Sequence, residues 1–410
     1  MRQEEIIEYY SNTKIQNEML RIAKDREIAG TYRDGSYSKR PDILLYPKDI
    51  LERAKKGIVT FHCSVEKWSQ PMQLSSDLKQ SEIQNLRKGF DFIIDIDSKS
   101  KLEHSIIAAE IVYNFLKDMG VKPTIKFSGN RGFHLSIAEE AFPKVVDFKE
   151  IKKNYPEVPQ ALASFIREKI KENLLEELIK FEGGVASLVK TVPSISELSP
   201  YEFVDIEKNW GNRHLFRMPY SLHSKTWLVS LPINFDQLRR FKANLAKPEN
   251  IKINDFLVNR VGEATEFLLQ ALDWSAKYMP KEEAKTTEKL PRFKKPIPEE
   301  YFPVCIKQLL KGIFDGKKRS LFTLITFLRG VNWDKEKVEQ KIREWNALNN
   351  IPLREQFIKT QLKWHFRQNR ELLPPNSDSD LFYKSIGIIH DKNCGKNPVN
   401  DAIRLYLKRK

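Results

Sequence analysis

The run Gly89-Phe-Asp-Phe-Ile-Ile-Asp-Ile-Asp97, followed about thirty residues later by Phe127-Ser-Gly-Asn-Arg-Gly-Phe-His134, decides how this chain folds. Side chains two apart on an extended strand leave the same face, so Phe92, Ile94 and Ile96 enter a core while Asp95 and Asp97 stand together on the other side. Two carboxylates held in this way repel unless a cation sits between them. The fitting cations are paired hard divalent metals, which prefer oxygen ligands and stabilise both oxygens of a phosphoryl transfer. The second run supplies a glycine-flanked turn open to close approach, with Ser128, Arg131 and His134 as donors to phosphate oxygens. Taken singly, an Asp-x-Asp at a strand end and a glycine turn are ordinary structural features. Between them Ile106, Ile107, Ile111, Val112 and Phe115 recur at helical spacing, so Phe90 to Ile137 reads as strand, helix, strand, turn, strand. In the last of these strands Phe133, Leu135 and Ile137 alternate against His134 and Ser136, which turns His134 away from the apolar side.

Outward from this centre the pattern predicts a helix over Gln3 to Arg26, a polar basic loop from Thr31 to Arg40 and a strand from Gly57 to His62. Helices are expected from Lys149 to Glu182 and from Asp255 to Tyr278. A strand pair brackets Arg213 to Thr226, with Trp227 to Ile233 as the returning strand. Within Arg213 to Thr226, Arg213, His214, Arg217, His223 and Lys225 crowd around Pro219, a grouping suited to a triphosphate or a pyrophosphate leaving group. Standing alone it would be a solvated basic hairpin. Two metals carry more charge than two aspartates neutralise, so a third acid is wanted: Asp205 is favoured, with Glu207 the nearest competitor.

With 410 residues, two or three domains are expected. Seventy Lys and Arg against 55 Asp and Glu leave a formal charge of +15, which favours a polyanionic partner such as nucleic acid, although adaptation to high temperature also enriches charge. The three cysteines, Cys63, Cys305 and Cys394, are far apart and suggest neither a disulfide framework nor a local zinc site. No signal-like or membrane-length apolar run appears, so the expectation is a cytoplasmic, nucleoid-associated protein with no membrane partner. Pro280 to Glu300 is dense in Lys, Glu and Pro and reads as a linker. The domains expected are therefore 1–280, a linker over 281–300, and a largely helical 301–410, for a fold class of α+β.

Asp-Ile-Asp, Phe-Ser-Gly-Asn-Arg-Gly-Phe-His and Leu-Phe-Arg-Met-Pro-Tyr-Ser-Leu-His-Ser-Lys-Thr stand in the order of the archaeo-eukaryotic primase small, catalytic subunit, which the chain resembles from about residue 20 to 275. Arg26-Glu27 and Ser64-Val-Glu-Lys-Trp-Ser-Gln-Pro71 look like further landmarks of that family. The resemblance implies that Asp95, Asp97 and an acid near 205 hold two Mg2+ or Mn2+ ions. It also implies that Ser128, Arg131, His134, Arg217 and His223 grip the phosphates of an incoming NTP or dNTP; Lys225, from the basic run itself, is expected to bind nucleotide with them. A 3′ hydroxyl would attack the α-phosphate on a single-stranded DNA template, with pyrophosphate leaving. Family members often carry a small zinc knob; between Asp97 and Thr124 this chain has only His104, and no zinc is expected.

Tyr301 to Leu310, Arg319 to Arg329 and Asn393 to Pro398 are similar to the C-terminal domain of the primase large subunit, which in many relatives holds an iron-sulfur cluster through four cysteines. Here only Cys305 and Cys394 match, while Ser377 and Ile388-Ile389 stand where thiolates would be. Two thiolates do not hold a [4Fe-4S] cluster, so no iron-sulfur cluster is expected. Lys317, Lys318 and Arg319 open a helix, a place that favours anions, and Lys363, Trp364, His365 and Arg367 add charge and an aromatic surface. Trp364 is either a stacking platform or core. The expected protein is a single-chain primase that makes primers de novo, with no separate large subunit required and replication proteins as further partners. The rivals are a primase-polymerase acting in primer extension or repair, a non-catalytic replication initiator, and a metal-dependent nuclease.

Overall fold

The computed structural model describes residues 1–75, 78–192, 198–279, 295–367, 372–379, 382–388 and 395–408. Most of the expected linker, residues 281–294, lies outside them, as do Cys394 and Ile389. The fold is α+β, and the chain divides into two compact units, Met1–Glu282 and Glu283–Lys410.

In the first unit the strands are β1 (Ile28–Tyr32), β2 (Ile58–Ser64), β3 (Glu66–Trp68), β4 (Arg87–Phe90), β5 (Phe92–Ser98) and β6 (Thr124–Phe127). They continue with β7 (Gly132–Ile137), β8 (Val145–Val146), β9 (Lys149–Glu150), β10 (Val204–Ile206), β11 (Leu215–Arg217) and β12 (Pro232–Ile233). A five-stranded antiparallel sheet has the order β10-β5-β7-β6-β12, and a three-stranded one the order β1-β2-β11. One face of the larger sheet is apolar, because Phe92, Ile94, Ile96, Phe133, Leu135 and Ile137 alternate inward and are all buried. The helix Leu102–Asp118 packs on this sheet, and Glu157–Glu182 packs on that helix. Burial of each such side chain contributes about 1.5–3 kcal/mol, which fixes the register: a slip of one residue would put the acids of β5 into the core.

The other face departs from simple alternation, since its polar residues are covered too. Lys126, His134 and Ser136 are buried, with the rings of Phe216 and Phe256 centred 5.9 and 5.7 Å from Lys126 Nζ. The polar face of β7 is thus an interior surface.

Several expected boundaries move for local reasons. The helix expected over Gln3 to Arg26 is two, Gln3–Ser11 and Thr13–Ala23, because the Asn12 side chain accepts from the backbone N–H of Lys14 and Ile15 and starts a new helix. The long helix begins at Glu157, not Lys149, since Lys149–Glu150 pairs with Val145–Val146 as a short hairpin. It ends at Gly183, whose φ of +77° makes a left-handed cap. The helix expected from Asp255 starts at Thr265, because Leu257 and Gly262 adopt φ of +57° and +75°. Of the returning strand over Trp227 to Ile233, only Pro232–Ile233 pairs as a strand, with an isolated bridge between Leu222 and Val229.

The second unit is helical among its described residues: Val304–Leu310, Lys317–Gly330, Lys335–Ala347, Glu355–Arg367 and Pro398–Leu407 pack around Phe302, Leu324, Phe327, Trp345 and Leu362. Cys305 is buried, with its Sγ 3.9 Å from Ser377 Oγ. Among the described residues no helix is long and apolar enough to cross a membrane.

Candidate active site

Strand register gathers the acids on one face. Asp205 of β10 lies directly across from Asp97 of β5, and His134 of β7 lies directly across from Asp95. Residues paired across an antiparallel ladder share a face, so Asp95, Asp97, Asp205 and His134 all project to the same side. His134 Nε2 is 3.3 Å from Asp95 Oδ1. Glu207, two residues beyond Asp205, donates its backbone N–H to the Asp95 carbonyl at 3.0 Å, and its carboxylate is 3.1 Å from His214 Nε2.

Electrostatics follow from this crowding. Burial, then the charges of Glu207 and Asp97, raise the Asp95 pKa to about 7, while Lys126 pulls the other way. The cleft leaves 46% of the Asp95 side chain open, so solvent screens part of this effect. Asp97 is raised by burial and by Asp205, against Arg131. Asp205 is 70% exposed and its Oδ1 is 3.8 Å from Arg167. Asp95 and Asp97, both pushed toward the neutral form, make with Asp205 an all-oxygen donor set whose chemistry suits hard divalent ions. Among the described residues no three His, Cys, Asp or Glu side chains stand together as a ready-made metal site; Asp95 faces His134 and Asp205 faces Arg167.

The phosphate-gripping candidates approach from two turns. In the first, the Ser128 N–H donates to the Gly132 carbonyl at 2.9 Å, closing a turn that holds Ser128 buried and Arg131 exposed beside the carbonyls of Lys99 and Ser100. A Cβ at Gly132 would stand 2.4 Å from the Ile96 carbonyl oxygen and 3.2 Å from Asp97 Oδ1, so only glycine lets this turn lie against the acid strand. In the second turn, Arg217 ends β11 and donates to the Ser128 carbonyl, while His223 Nδ1 accepts from the backbone N–H of Lys225 and Thr226. The two turns touch: Thr226 Oγ1 donates to the Gly129 carbonyl at 2.6 Å, and a Cβ at Gly129, whose φ is +98°, would meet His223. Ser128, Arg131, Arg217, His223 and Lys225, named from distant parts of the sequence, therefore belong to one locality.

A cavity of about 180 Å³ opens here, lined by Tyr37, His62, Asp95, His134, Glu207 and Arg217 among others. Among the described residues, three buried polar atoms around it have no hydrogen-bond partner: His62 Nδ1, His134 Nδ1 and Arg217 Nε. Burial and the Arg217 charge pull the His62 pKa down to about 3, burial and Lys126 hold His134 well below the usual range, and burial and Arg217 take His223 down to about 4. These imidazoles are neutral near pH 7, so each has one donor and one acceptor. Fixed positive charge comes from Arg217 and Arg131 instead.

Sequence reasoning missed His62 and Lys126. His62 pairs across β2 and β11 with Arg217, and Lys126 pairs with His134 while donating to Ser230 Oγ at 2.7 Å. It also missed what Arg26, Glu27 and Glu66 do. Glu27, fully buried, takes both Arg40 and Arg213, and Glu66 accepts the backbone N–H of Arg213 and His214 at 2.8 and 2.9 Å. Together they fix the segment joining β10, with Asp205, to β11, with Arg217. Arg26 pairs with the buried Asp91. A larger cavity, about 980 Å³, surrounds Arg26, Asp91 and Glu139 at the other end of β5 and β7, and none of the predicted site residues lines it.

In the second unit, Lys317 Nζ donates to the Phe314 carbonyl, Lys318 lies over the Phe357 ring at 5.3 Å, and Arg319 donates to Ser385 Oγ at 3.2 Å. Lys363 is exposed and Trp364 half-buried, its ring 4.8 Å from that of His365. The charge expected of His365 is corrected: its side chain is buried, and desolvation and Arg329 take its pKa down to about 4.

Residues 94–235, which contain every one of the first-unit candidates, match the family model described as the DNA primase small subunit. That match supports a role of the primase or nucleotidyltransferase kind for this stretch. An uncharacterized protein of Methanocaldococcus jannaschii is 36% identical over 122 residues, 29% of this chain; the matched stretch spans 26% of that relative's length. Among solved structures, the chain is similar to the polymerase domain of Mycobacterium tuberculosis ligase D in complex with DNA, at 15% identity and a TM-score of 0.36, covering 66% of this chain and 89% of that one.

Proposed function

We propose that this chain is a DNA primase that joins nucleotides on a single-stranded DNA template and starts primers from NTPs or dNTPs. The observation that carries the reading is the placement of Asp97 and Asp205 across one strand pair, beside a turn held by Arg217. In this reading Asp95, Asp97 and Asp205 hold two Mg2+ or Mn2+ ions, which when bound would activate the attacking oxygen and stabilise the leaving one. Arg217 and Arg131 bind the β- and γ-phosphates with fixed charge, and neutral His134 and His223 donate single hydrogen bonds to them. Ser128 and Lys225 complete the grip. The Gly132 contact keeps this grip at a set distance from the acids, so a bound triphosphate is oriented for in-line attack.

The helical unit would supply a second anion-binding site for the initiating nucleotide through Lys317, Lys318, Arg319, Lys363 and Trp364, which would make a separate large subunit unnecessary. Neither zinc nor an iron-sulfur cluster enters this proposal. The second reading, a primase-polymerase that mainly extends existing primers, uses the same acids and clamp and differs in what the helical unit does. Incubating the chain with unprimed single-stranded DNA, labelled nucleotides and Mg2+ or Mn2+ tests the proposal. Products that begin with a triphosphate are expected. Extension of annealed primers with no such products would favour the second reading, and no incorporation at all would refute both.

A further inference from the structure

The loop Thr31 to Arg40 takes no part in the chemistry proposed above, yet it borders the site. Hydrogen bonds from the Gly35 N–H to the Tyr32 carbonyl and from the Tyr32 N–H to the Ser36 carbonyl, both 2.9 Å, fold it into a tight turn. Tyr32 and Tyr37 flank that turn and are 37% and 52% exposed. Tyr37 lines the 180 Å³ cavity, its ring 5.8 Å from that of His62. Arg33, within the turn, is exposed and lies over the Trp227 indole at 5.0 Å from the ring centroid.

Trp227 belongs to the turn that carries His223 and Lys225. Its N–H donates to the His223 carbonyl at 2.9 Å, the His223 N–H donates to the Leu228 carbonyl at 2.8 Å, and Thr226 ties the turn to Gly129. The backbone of Trp227 has a φ of +62°, in the left-handed region that favours glycine and penalises large side chains. The indole packs against the edge of the core with part of its surface left open, so packing accounts for only part of so bulky a residue at so unfavourable a position. Backbone strain of this kind concentrates where a side chain does something other than pack. The surroundings state the chemistry: a part-exposed indole, a guanidinium over it, Lys225 two residues before it, and a facing loop that carries Lys39 and Arg40 with Asp34 as its one acid.

We propose that Trp227, with Arg33, is a stacking platform for an unpaired base of single-stranded nucleic acid, and that Tyr37 marks the path from that platform into the cavity. This rests on the nucleotidyl-transfer reading of the site and adds the place where the strand is held. Aromatic faces accept any base, and the flanking cations take the phosphates on either side. Exposed aliphatic side chains are absent from residues 31–40 and 223–228, where the exposed large apolar side chains are the rings of Tyr32 and Tyr37.

The test uses the full chain, a labelled oligodeoxythymidine and the same oligomer with abasic positions. Trp227→Gly, which relieves the backbone, is expected to weaken binding of the base-bearing oligomer about tenfold, and Trp227→Phe to restore most of it. The abasic oligomer should bind the wild-type chain as weakly as the base-bearing one binds the glycine variant, and the two losses should not add. Equal affinities of wild type and Trp227→Gly, or losses that add in full, would overturn the proposal. If thermal unfolding shows the glycine variant to be destabilised, Arg33→Ala carries the test, with a loss of about threefold to fivefold expected and no loss overturning the idea. Failure of the broader reading shows separately, as an absence of nucleotide incorporation by a wild-type chain that does bind the oligomer.

Discussion

Asp97 and Asp205 face each other across the β5–β10 ladder, on the side where Asp95 meets His134. Their strands come from parts of the chain more than a hundred residues apart, so the pairing is made by the sheet and not by any local motif. It makes the acids the first target for experiment.

Asp97→Asn keeps the size of the side chain and removes its charge. Primer synthesis should fall on the order of a hundredfold or more. The fold should survive, because the change relieves repulsion among like charges. Circular dichroism and incorporation of labelled nucleotide check the two halves; full activity would refute the metal assignment.

The raised pKa of Asp95 gives a sign to the pH dependence of stability. An acid whose folded pKa lies above its unfolded value binds more protons folded than unfolded, so its contribution is favourable at low pH and is lost as pH rises through about 7. Without divalent ions, the midpoint of urea unfolding should fall as pH rises from about 4 to about 7 and level off above that. Asp95→Asn should flatten that slope, and so should Mg2+ or Mn2+.

Glu27→Gln strikes the buttress rather than the site. Removing the charge of the fully buried Glu27 leaves Arg213 and Arg40, both partly exposed, without their counter-ion and should cost about 2 kcal/mol in denaturant unfolding. Although burial works against it, hydrogen bonds from Arg213 and Arg40 hold the Glu27 pKa below the ordinary value. Its stabilisation is therefore present above the unfolded pKa and disappears as pH falls through the folded one. The variant should lack that acid-labile part.

Arg217→Lys retains a charge and loses the fork that spans the Ser128 carbonyl and the cavity. The KM for nucleoside triphosphate should rise about tenfold, in line with loss of a hydrogen bond to a charged group. An unchanged KM with a lowered kcat would place Arg217 elsewhere in the reaction.

Removing residues from about 290 onward should leave primer extension largely intact and impair unprimed initiation. Gel analysis of products from primed and unprimed templates separates the two. Equal loss of both would mean that the helical unit supports the first unit without any part in initiation.

The sequence was most informative where pattern is local. Alternation along Phe92 to Asp97 and Gly132 to Ile137, with the helical spacing between them, defines three strands, one helix and the face that carries the acids. Arg217 and His223 stood out through their own crowded run. His62 did not, because its significance comes from cross-strand pairing with Arg217, which no nearby residue announces. Lys126 was hidden for the opposite reason: a lysine in a short strand reads as a solvent-facing residue, and here it is buried against Ser230. Glu27 and Glu66 read only as landmarks, since their work is to hold Arg213 and His214, far along the chain. The late start of the helix at Thr265 was illegible because a left-handed Leu257 has no signature in composition.

At Gly132 the main chain of one strand rests against the main chain of the next, with no side chain as a cushion. Peptide backbones yield far less than side chains, so the loop bearing Ser128 and the ribbon bearing Asp97 move as one piece. The span between the carboxylates of that ribbon and the loop is set by this backbone contact. The hydrogen atom of a single glycine acts as the ruler for that span.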